Sequence, residues 1–292
     1  MRTRIGCVGL LAAAATAAWA GDVYESAGFL QFPPEAKLGA MSGVDVDKRG
    51  NVYVLHRGEQ PIAKFDAKGR YIKSWGAGMY KVPHVVRVGP DGNIWTTDNG
   101  NHVLRVFTPD GQLLRTIGEL NVAGNDGKHF RAPDDIVFGA KGSYYVADSG
   151  NGRIAHFDSA GNLAGQWGKK GKGPGEFSTA HSLAIDKKGR VFVGDRGNKR
   201  IQVFDSQGKF LEEWTGFGNA FGMLIAGSEL LATEGDAHKL IRLSLADGKV
   251  IEQWGASGEF QLPHMMASAK GGRVYVTEVN GKRVQILKRR NR

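Results

Sequence analysis

The stretch from Trp167 to Leu211, WGKKGKGPGEFSTAHSLAIDKKGRVFVGDRGNKRIQVFDSQGKFL, decides the fold. Ser182 to Asp186 is a short apolar run, Lys187-Lys188-Gly189 a turn, Arg190 to Gly194 a second run, and Gly197-Asn198-Lys199 another turn. Ile201 to Asp205 and Phe210 to Trp214 supply a third and a fourth run around Ser206-Gln207-Gly208. Four short antiparallel strands in about 45 residues make one propeller blade.

The same phrase recurs when the chain is aligned on the residue that closes each second strand: His56, Asp98, Asp148, Asp195, Glu234 and Glu278. The separations are 42, 50, 47, 39 and 44 residues by subtraction, the window expected for one four-stranded blade per repeat. The second strands read VYVLHRG, IWTTDNG, YYVADSG, VFVGDRG, LLATEGD and VYVTEVN; third strands include VLRVF, RIAHF, RIQVF and RVQIL. This phrase resembles the NHL repeat, so the expected fold is an all-β, six-bladed propeller. The last repeat ends at its third strand, so an N-terminal strand at Gly28 to Phe32 is expected to supply the outer strand of blade six. Such closure removes the open sheet edges.

Six blades consume the chain from about residue 28 to residue 288, so 21–292 is read as a single propeller domain. Residues 1–20 carry Arg2 and Arg4, an apolar run and Ala18-Trp19-Ala20, the pattern of a secretory signal cleaved before Gly21. The run is short for a bilayer span. Export to the periplasm or the medium follows, with no membrane span once the signal is removed. Cys7, the sole cysteine, lies inside that segment, which excludes disulfides, thiolate metal sites and cysteine nucleophiles from the mature chain.

Net charge is +10, from 39 basic and 29 acidic residues. The basic clusters are Lys169-Lys170-Gly171-Lys172 and Lys288-Arg289-Arg290-Asn291-Arg292. No aromatic platform accompanies them, so they are read as a solvated loop and tail rather than a nucleic-acid surface. Trp75, Trp167, Trp214 and Trp254 each end an outer strand and are read as packing between blades. Asp98, Asp148 and Asp195 are read as turn caps.

The chemistry lies at the axis. Counting back fourteen positions from each second-strand marker lands on Ser42, His84, Asp134, His181, Ala220 and His264; the fifth is open by two because that blade is shortened. Histidine therefore opens the innermost strand of blades two, four and six, which spaces three imidazoles about 120° apart around the channel. Three neutral imidazoles with a vacant fourth position make a zinc site of the catalytic kind. Pro83 and Pro263 stiffen the backbone just before two of the ligands. Arg57 and Arg196 occupy equivalent spots after the second strands of the opposed blades one and four, where guanidinium groups could grip a carboxylate or stabilise an oxyanion.

The set Val82-Pro83-His84, Ala180-His181-Ser182 and Leu262-Pro263-His264, with His56-Arg57-Gly58 and Asp195-Arg196-Gly197-Asn198, is similar to the peptidyl-α-hydroxyglycine α-amidating lyases. That resemblance implies zinc held by His84, His181 and His264, and substrate held by Arg57 and Arg196. The implied reaction cleaves the N–Cα bond of a peptide ending in α-hydroxyglycine, giving a peptide amide and glyoxylate. Two departures stand out. The family's catalytic tyrosine, in a D-G-Y segment after the second strand of blade three, has no counterpart in Asp148-Ser149-Gly150-Asn151; Tyr80, in a loop before His84, is the substitute considered. Met265 stands where the family has an acidic calcium ligand, so no calcium is expected. The alternative is a non-catalytic NHL binding module for a protein or small ligand that keeps the metal site. Either way a small-molecule or peptide partner at the channel mouth and a monomeric state are expected, and no nucleic-acid partner.

Overall fold

The computed structural model describes residues 23–255 and 258–290. The secretory-type segment 1–20, with Cys7, lies outside the described residues. The described chain is built from twenty-four strands and four short 3-10 turns. The first strand, β1 (Tyr24–Phe29), belongs to the last blade. Blade one is β2 (Met41–Val46), β3 (Val52–His56), β4 (Ile62–Phe65) and β5 (Tyr71–Trp75). Blade two is β6 (Pro83–Val88), β7 (Ile94–Asp98), β8 (Val103–Phe107) and β9 (Leu113–Ile117). Blade three is β10 (Pro133–Phe138), β11 (Tyr144–Asp148), β12 (Arg153–Phe157) and β13 (Leu163–Trp167). Blade four is β14 (Ala180–Ile185), β15 (Val191–Asp195), β16 (Arg200–Phe204) and β17 (Phe210–Trp214). Blade five is β18 (Ala220–Ala226), β19 (Glu229–Glu234), β20 (Lys239–Ser244) and β21 (Val250–Trp254). Blade six is β22 (Pro263–Ala269), β23 (Arg273–Glu278) and β24 (Arg283–Arg289), completed by β1.

The six-bladed all-β propeller expected from the repeats is therefore the fold, and every second strand ends on its marker residue. The closing strand starts earlier than the apolar pattern suggests, at Tyr24 rather than Gly28, and Tyr24 pairs with Arg289. Tyr24 is placed there by its ring, which stacks on Trp254 at 6.0 Å and 7°.

The core is six slabs, one between each pair of neighbouring blades. Phe192, Ile201 and Trp214 of blade four, for example, pack on Leu230, Ile241 and Leu243 of blade five. Each such fully buried side chain contributes roughly 1.5–3 kcal/mol. The tryptophans do the packing expected of them. Trp214 lies against the Gly248 turn of the next blade and Trp167 against Gly208, so closely that a Cβ on either glycine would sit 2.2 or 2.5 Å from an indole atom.

The marker carboxylates do more than cap a turn. Asp195 accepts from Ser178 N at 3.0 Å, Thr179 N at 3.1 Å, Asn198 Nδ2 at 2.7 Å and Arg200 Nε at 3.0 Å. It ties the strand-entry loop, the turn and the third strand together at one buried point. Asp98 with Arg105, Asp148 with Arg153 and Glu278 with Arg283 repeat the ion pair at 2.7 to 3.0 Å. Blade one replaces the carboxylate by His56, whose Nδ1 accepts from Gly58 N at 3.0 Å. In the basic loop, Lys170 donates to Ser149 O and Ser178 O, and Lys169 pairs with Glu176. Those lysines are therefore partly spent on holding the loop.

Candidate metal centre at the channel mouth

Six β-bulges aim the site. In each inner pair the strand register slips just after the first residue: Pro83 pairs with Asp98 but Val86 with Thr96, and Ala180 pairs with Asp195 but Ser182 with Gly194. Pro263 and Met266 bracket the slip in blade six. A bulged residue is left out of the ladder and its side chain is re-aimed. His84, His181 and His264 all lie in these slips. The freed amides are satisfied by the second strand, where Val85 N donates to Thr97 Oγ1 at 3.0 Å and Met265 N to Thr277 Oγ1 at 2.9 Å. Gly222, in the blade-five bulge, lets the neighbouring inner strand approach, for a Cβ there would be 2.1 Å from His264 O.

The fifth position is Phe221, not Ala220. Ala220 pairs with the marker Glu234 just as Pro263 pairs with Glu278, so the bulge begins one residue later. The reason is the β18–β19 turn, where Ala226 and Glu229 leave only Gly227 and Ser228 between them; blade six spends three residues there.

The structure brings the three histidines together. Their rings lie 4.8, 5.0 and 5.1 Å apart, centroid to centroid, and are mutually nearly perpendicular. One ligand nitrogen from each lies within 4.8 Å of the other two. All three are buried. Each Nδ1 meets a backbone carbonyl of the next blade: His84 to Asp134 O at 2.8 Å, His181 to Phe221 O at 2.6 Å, His264 to Ser42 O at 2.6 Å. A carbonyl only accepts, so Nδ1 carries a hydrogen and Nε2 is the nitrogen left to face the axis. Such a bond from the outer nitrogen is the usual support of a metal-ligating histidine. Burial holds His181 and His264 well below the ordinary imidazole range, with His84 and Arg196 beside them adding to it. His181 Nε2 is buried without a hydrogen-bond partner. Three converging imidazole nitrogens fit a metal ion.

The arginines stand over this centre. Arg196 packs across the Phe221 ring at 4.9 Å, and Arg57 Nε donates to Pro83 O at 3.3 Å. Both guanidinium charges bear on His264. Burial lowers the Arg57 pKa and the nearby Asp134 carboxylate opposes that fall. Asp134 itself, aligned from the repeat but given no role there, places Oδ1 3.6 Å from His84 Nε2 and accepts from Asn99 Nδ2 at 2.5 Å.

Tyr80 does not join them. Its hydroxyl bonds Thr96 Oγ1 at 2.7 Å, Arg105 lies 4.8 Å over its ring, and it packs in the slab between blades one and two. Burial raises its pKa. The loop before His84 turns inward there because the Gly76 corner and Ile62 leave an apolar seat for the ring. The segment after the third marker offers no substitute: Ser149–Asn151 is a single 3-10 turn, with Asn151 Nδ2 bonded to Gly124 O and to Asp148. At its far end the channel forms a cavity of about 380 Å³ lined by apolar residues together with Asp45, Ser268 and Arg87; Arg87 bonds Asp135 through two contacts of 2.9 and 2.7 Å. Among the described residues, no helix is long and apolar enough to cross a membrane.

Comparison with known proteins agrees with the propeller fold. A family described as a 6-bladed beta-propeller matches residues 125–216, and the NHL repeat matches residues 81–107. A probable peptidyl-alpha-hydroxyglycine alpha-amidating lyase of Caenorhabditis elegans is 29% identical over 181 residues, which are 53% of this chain and 52% of that protein. Peptidyl-alpha-hydroxyglycine alpha-amidating lyase 2 of Drosophila melanogaster is 29% identical over 287 residues, 83% of this chain and 69% of that one. The peptidylglycine alpha-amidating monooxygenase of Rattus norvegicus is 31% identical over 181 residues. The chain thus spans about half of the nematode protein (52%) and 18% of the rat one. Among solved structures, a streptogramin B lyase superposes with a TM-score of 0.66 at 16% identity, over 92% of this chain and 98% of its own. The virginiamycin B lyase of Staphylococcus aureus superposes at 0.67 and 14%, over 91% and 98%. At those identities the likeness is one of fold. The chain is a six-bladed β-propeller with an NHL-repeat match in its second blade, and it resembles the peptidyl-α-hydroxyglycine α-amidating lyases.

Proposed function

We propose that the protein is a zinc-dependent lyase that cleaves the N–Cα bond of an α-hydroxyglycine peptide to an amide and glyoxylate, or of a related α-hydroxy amide to an amide and the matching carbonyl compound. The observation that carries this reading is the convergence of three buried imidazole nitrogens, each backed by a carbonyl of the next blade. His84, His181 and His264 would hold the ion. Zinc bound by nitrogen ligands with a position left open lowers the pKa of an oxygen that it binds and polarises it.

The protein's own groups do the rest. Arg57 and Arg196, whose charges both reach His264, would hold the carboxylate of the substrate and set its hydroxyl over the histidines. Phe221, beneath Arg196, braces that guanidinium. Burial of the centre excludes water from the reacting carbon and strengthens each charge in it. The secretory pattern of residues 1–20 supports action outside the cytoplasm, as a periplasmic or secreted monomer.

The test is glyoxylate release from a peptide ending in α-hydroxyglycine, with Arg196→Ala as control. Turnover that falls in Arg196→Ala at unchanged metal content supports the lyase. Full zinc occupancy without turnover assigns the propeller to ligand binding instead.

A further inference from the structure

We infer that Asp134 is a fourth protein ligand of the ion held by His84, His181 and His264, so that the position left open for substrate is a fifth. The inference rests on the metal site proposed above and goes beyond the three-histidine set. Asp134 stands at the blade-three equivalent of the histidine positions, second in its inner strand and inside the register slip between Pro133 and Asp135. It is 5% exposed, so its carboxylate has left most of its water.

Two potential ligand atoms face each other here. His84 gives an Nδ1 hydrogen to the Asp134 carbonyl at 2.8 Å, which leaves its Nε2 to face the carboxylate. Nε2 lies 3.6 Å from Asp134 Oδ1, and both residues are buried. One cation can contact both atoms at that separation. His181 Nε2, buried and without a hydrogen-bond partner, faces the same centre. Arg57 Nε is occupied by Pro83 O.

The spacing suits a shared ion. Bonds of about 2.0–2.2 Å to nitrogen and carboxylate oxygen put two neighbouring ligands of one zinc roughly 3–3.8 Å apart. Asp134 Oδ1 and His84 Nε2 are already at that separation, whereas the histidine nitrogens, up to 4.8 Å apart, must draw in by about an ångström on the same arithmetic. The carboxylate also has the support that ligating carboxylates have: Asn99 Nδ2 donates to Oδ1 at 2.5 Å. Asp134 would thus serve the centre twice, through its carboxylate and through the carbonyl that orients His84.

The experiment is zinc affinity by competition with a chelating dye, together with the visible absorption of the Co2+-substituted protein. The wild type is compared with Asp134→Asn, Asp134→Ser and His181→Ala. Asp134→Asn keeps the shape and can still accept from Asn99. The expected result is zinc binding weakened at least about tenfold in both Asp134 variants, since even an outer-shell partner is worth 10- to 100-fold. The Co2+ bands should shift with it. Unchanged affinity and an unchanged Co2+ spectrum in both Asp134 variants overturn the inference while leaving the three-histidine site standing. A wild type that binds no zinc overturns both.

Discussion

The even and odd blades present the same bulged backbone at the mouth and use it in opposite ways. Blades two, four and six give side chains: His84, His181 and His264 point their Nε2 atoms at one another. Blades one, three and five give main chain: the carbonyls of Ser42, Asp134 and Phe221 take the three Nδ1 hydrogens. One ring of six equivalent residues therefore supplies both the ligands and the atoms that orient them. Because an odd blade contributes a carbonyl, which every residue has, its side chain need not be imidazole: serine and phenylalanine stand in blades one and five, and in blade three the aspartate inferred to be a further ligand. A threefold metal site arises on a sixfold frame because side chain and main chain alternate around it.

This division of labour is open to attack, the hardest blow first. Removing an even-blade imidazole, as in His181→Ala, is expected to abolish stoichiometric metal, a loss beyond the 10- to 100-fold typical of an outer-shell partner. Metal analysis of the purified variant reads it, and a full complement of metal would break the even-blade half of the comparison. Next comes Arg196→Ala, which touches neither ring nor carbonyl. It should retain the metal and lose roughly 100-fold in turnover, the cost of one donor to developing or bound negative charge. Steady-state kinetics at measured metal content decide that.

A third test uses a histidine that is not a ligand. His56 is buried and its pKa is pushed down to about 4 by burial. It stays neutral in the fold while the unfolded chain takes up a proton below about pH 6.5. Its contribution is therefore intact above that pH and is lost as the pH falls toward 4, a drop of about 3 kcal/mol. Chemical denaturation at pH 7 and pH 4.5 should show a smaller drop in His56→Gln than in the wild type; equal drops would mean that the buried ring titrates normally. Last and smallest is Ser42→Ala. It removes only the hydroxyl that donates to Leu55 O at 3.3 Å and should cost about 1 kcal/mol, with zinc affinity unchanged because His264 uses the carbonyl. A large loss of affinity would show that the odd side chains matter.

The frame was legible because repeated blades repeat their sequence. Asp98, Asp195 and Glu278 each close a second strand, and counting from them located His84, His181 and His264 without any tertiary information. The count slipped at Ala220 because a two-residue turn, Gly227-Ser228, shortens blade five by one, and loop length is invisible to a fixed offset. Tyr80 was misplaced for a different reason. A tyrosine in a loop beside the mouth reads as solvent-facing, yet Thr96 and Arg105 on the neighbouring strands draw it into the slab between blades. The same count landed on Asp134, but it gave no role to that carboxylate, whose significance lies in a distance of 3.6 Å to His84 Nε2 across two blades. The carbonyl backing of the histidines is equally silent, because it depends on backbone position and not on residue type.

The most direct test of the account is anomalous X-ray diffraction from crystals of the zinc-supplemented protein, recorded on both sides of the zinc absorption edge. The expected result is a single strong peak on the propeller axis, about 2.0–2.1 Å from the Nε2 atoms of His84, His181 and His264. A map with no peak there, or with the zinc bound away from these three nitrogens, would contradict it.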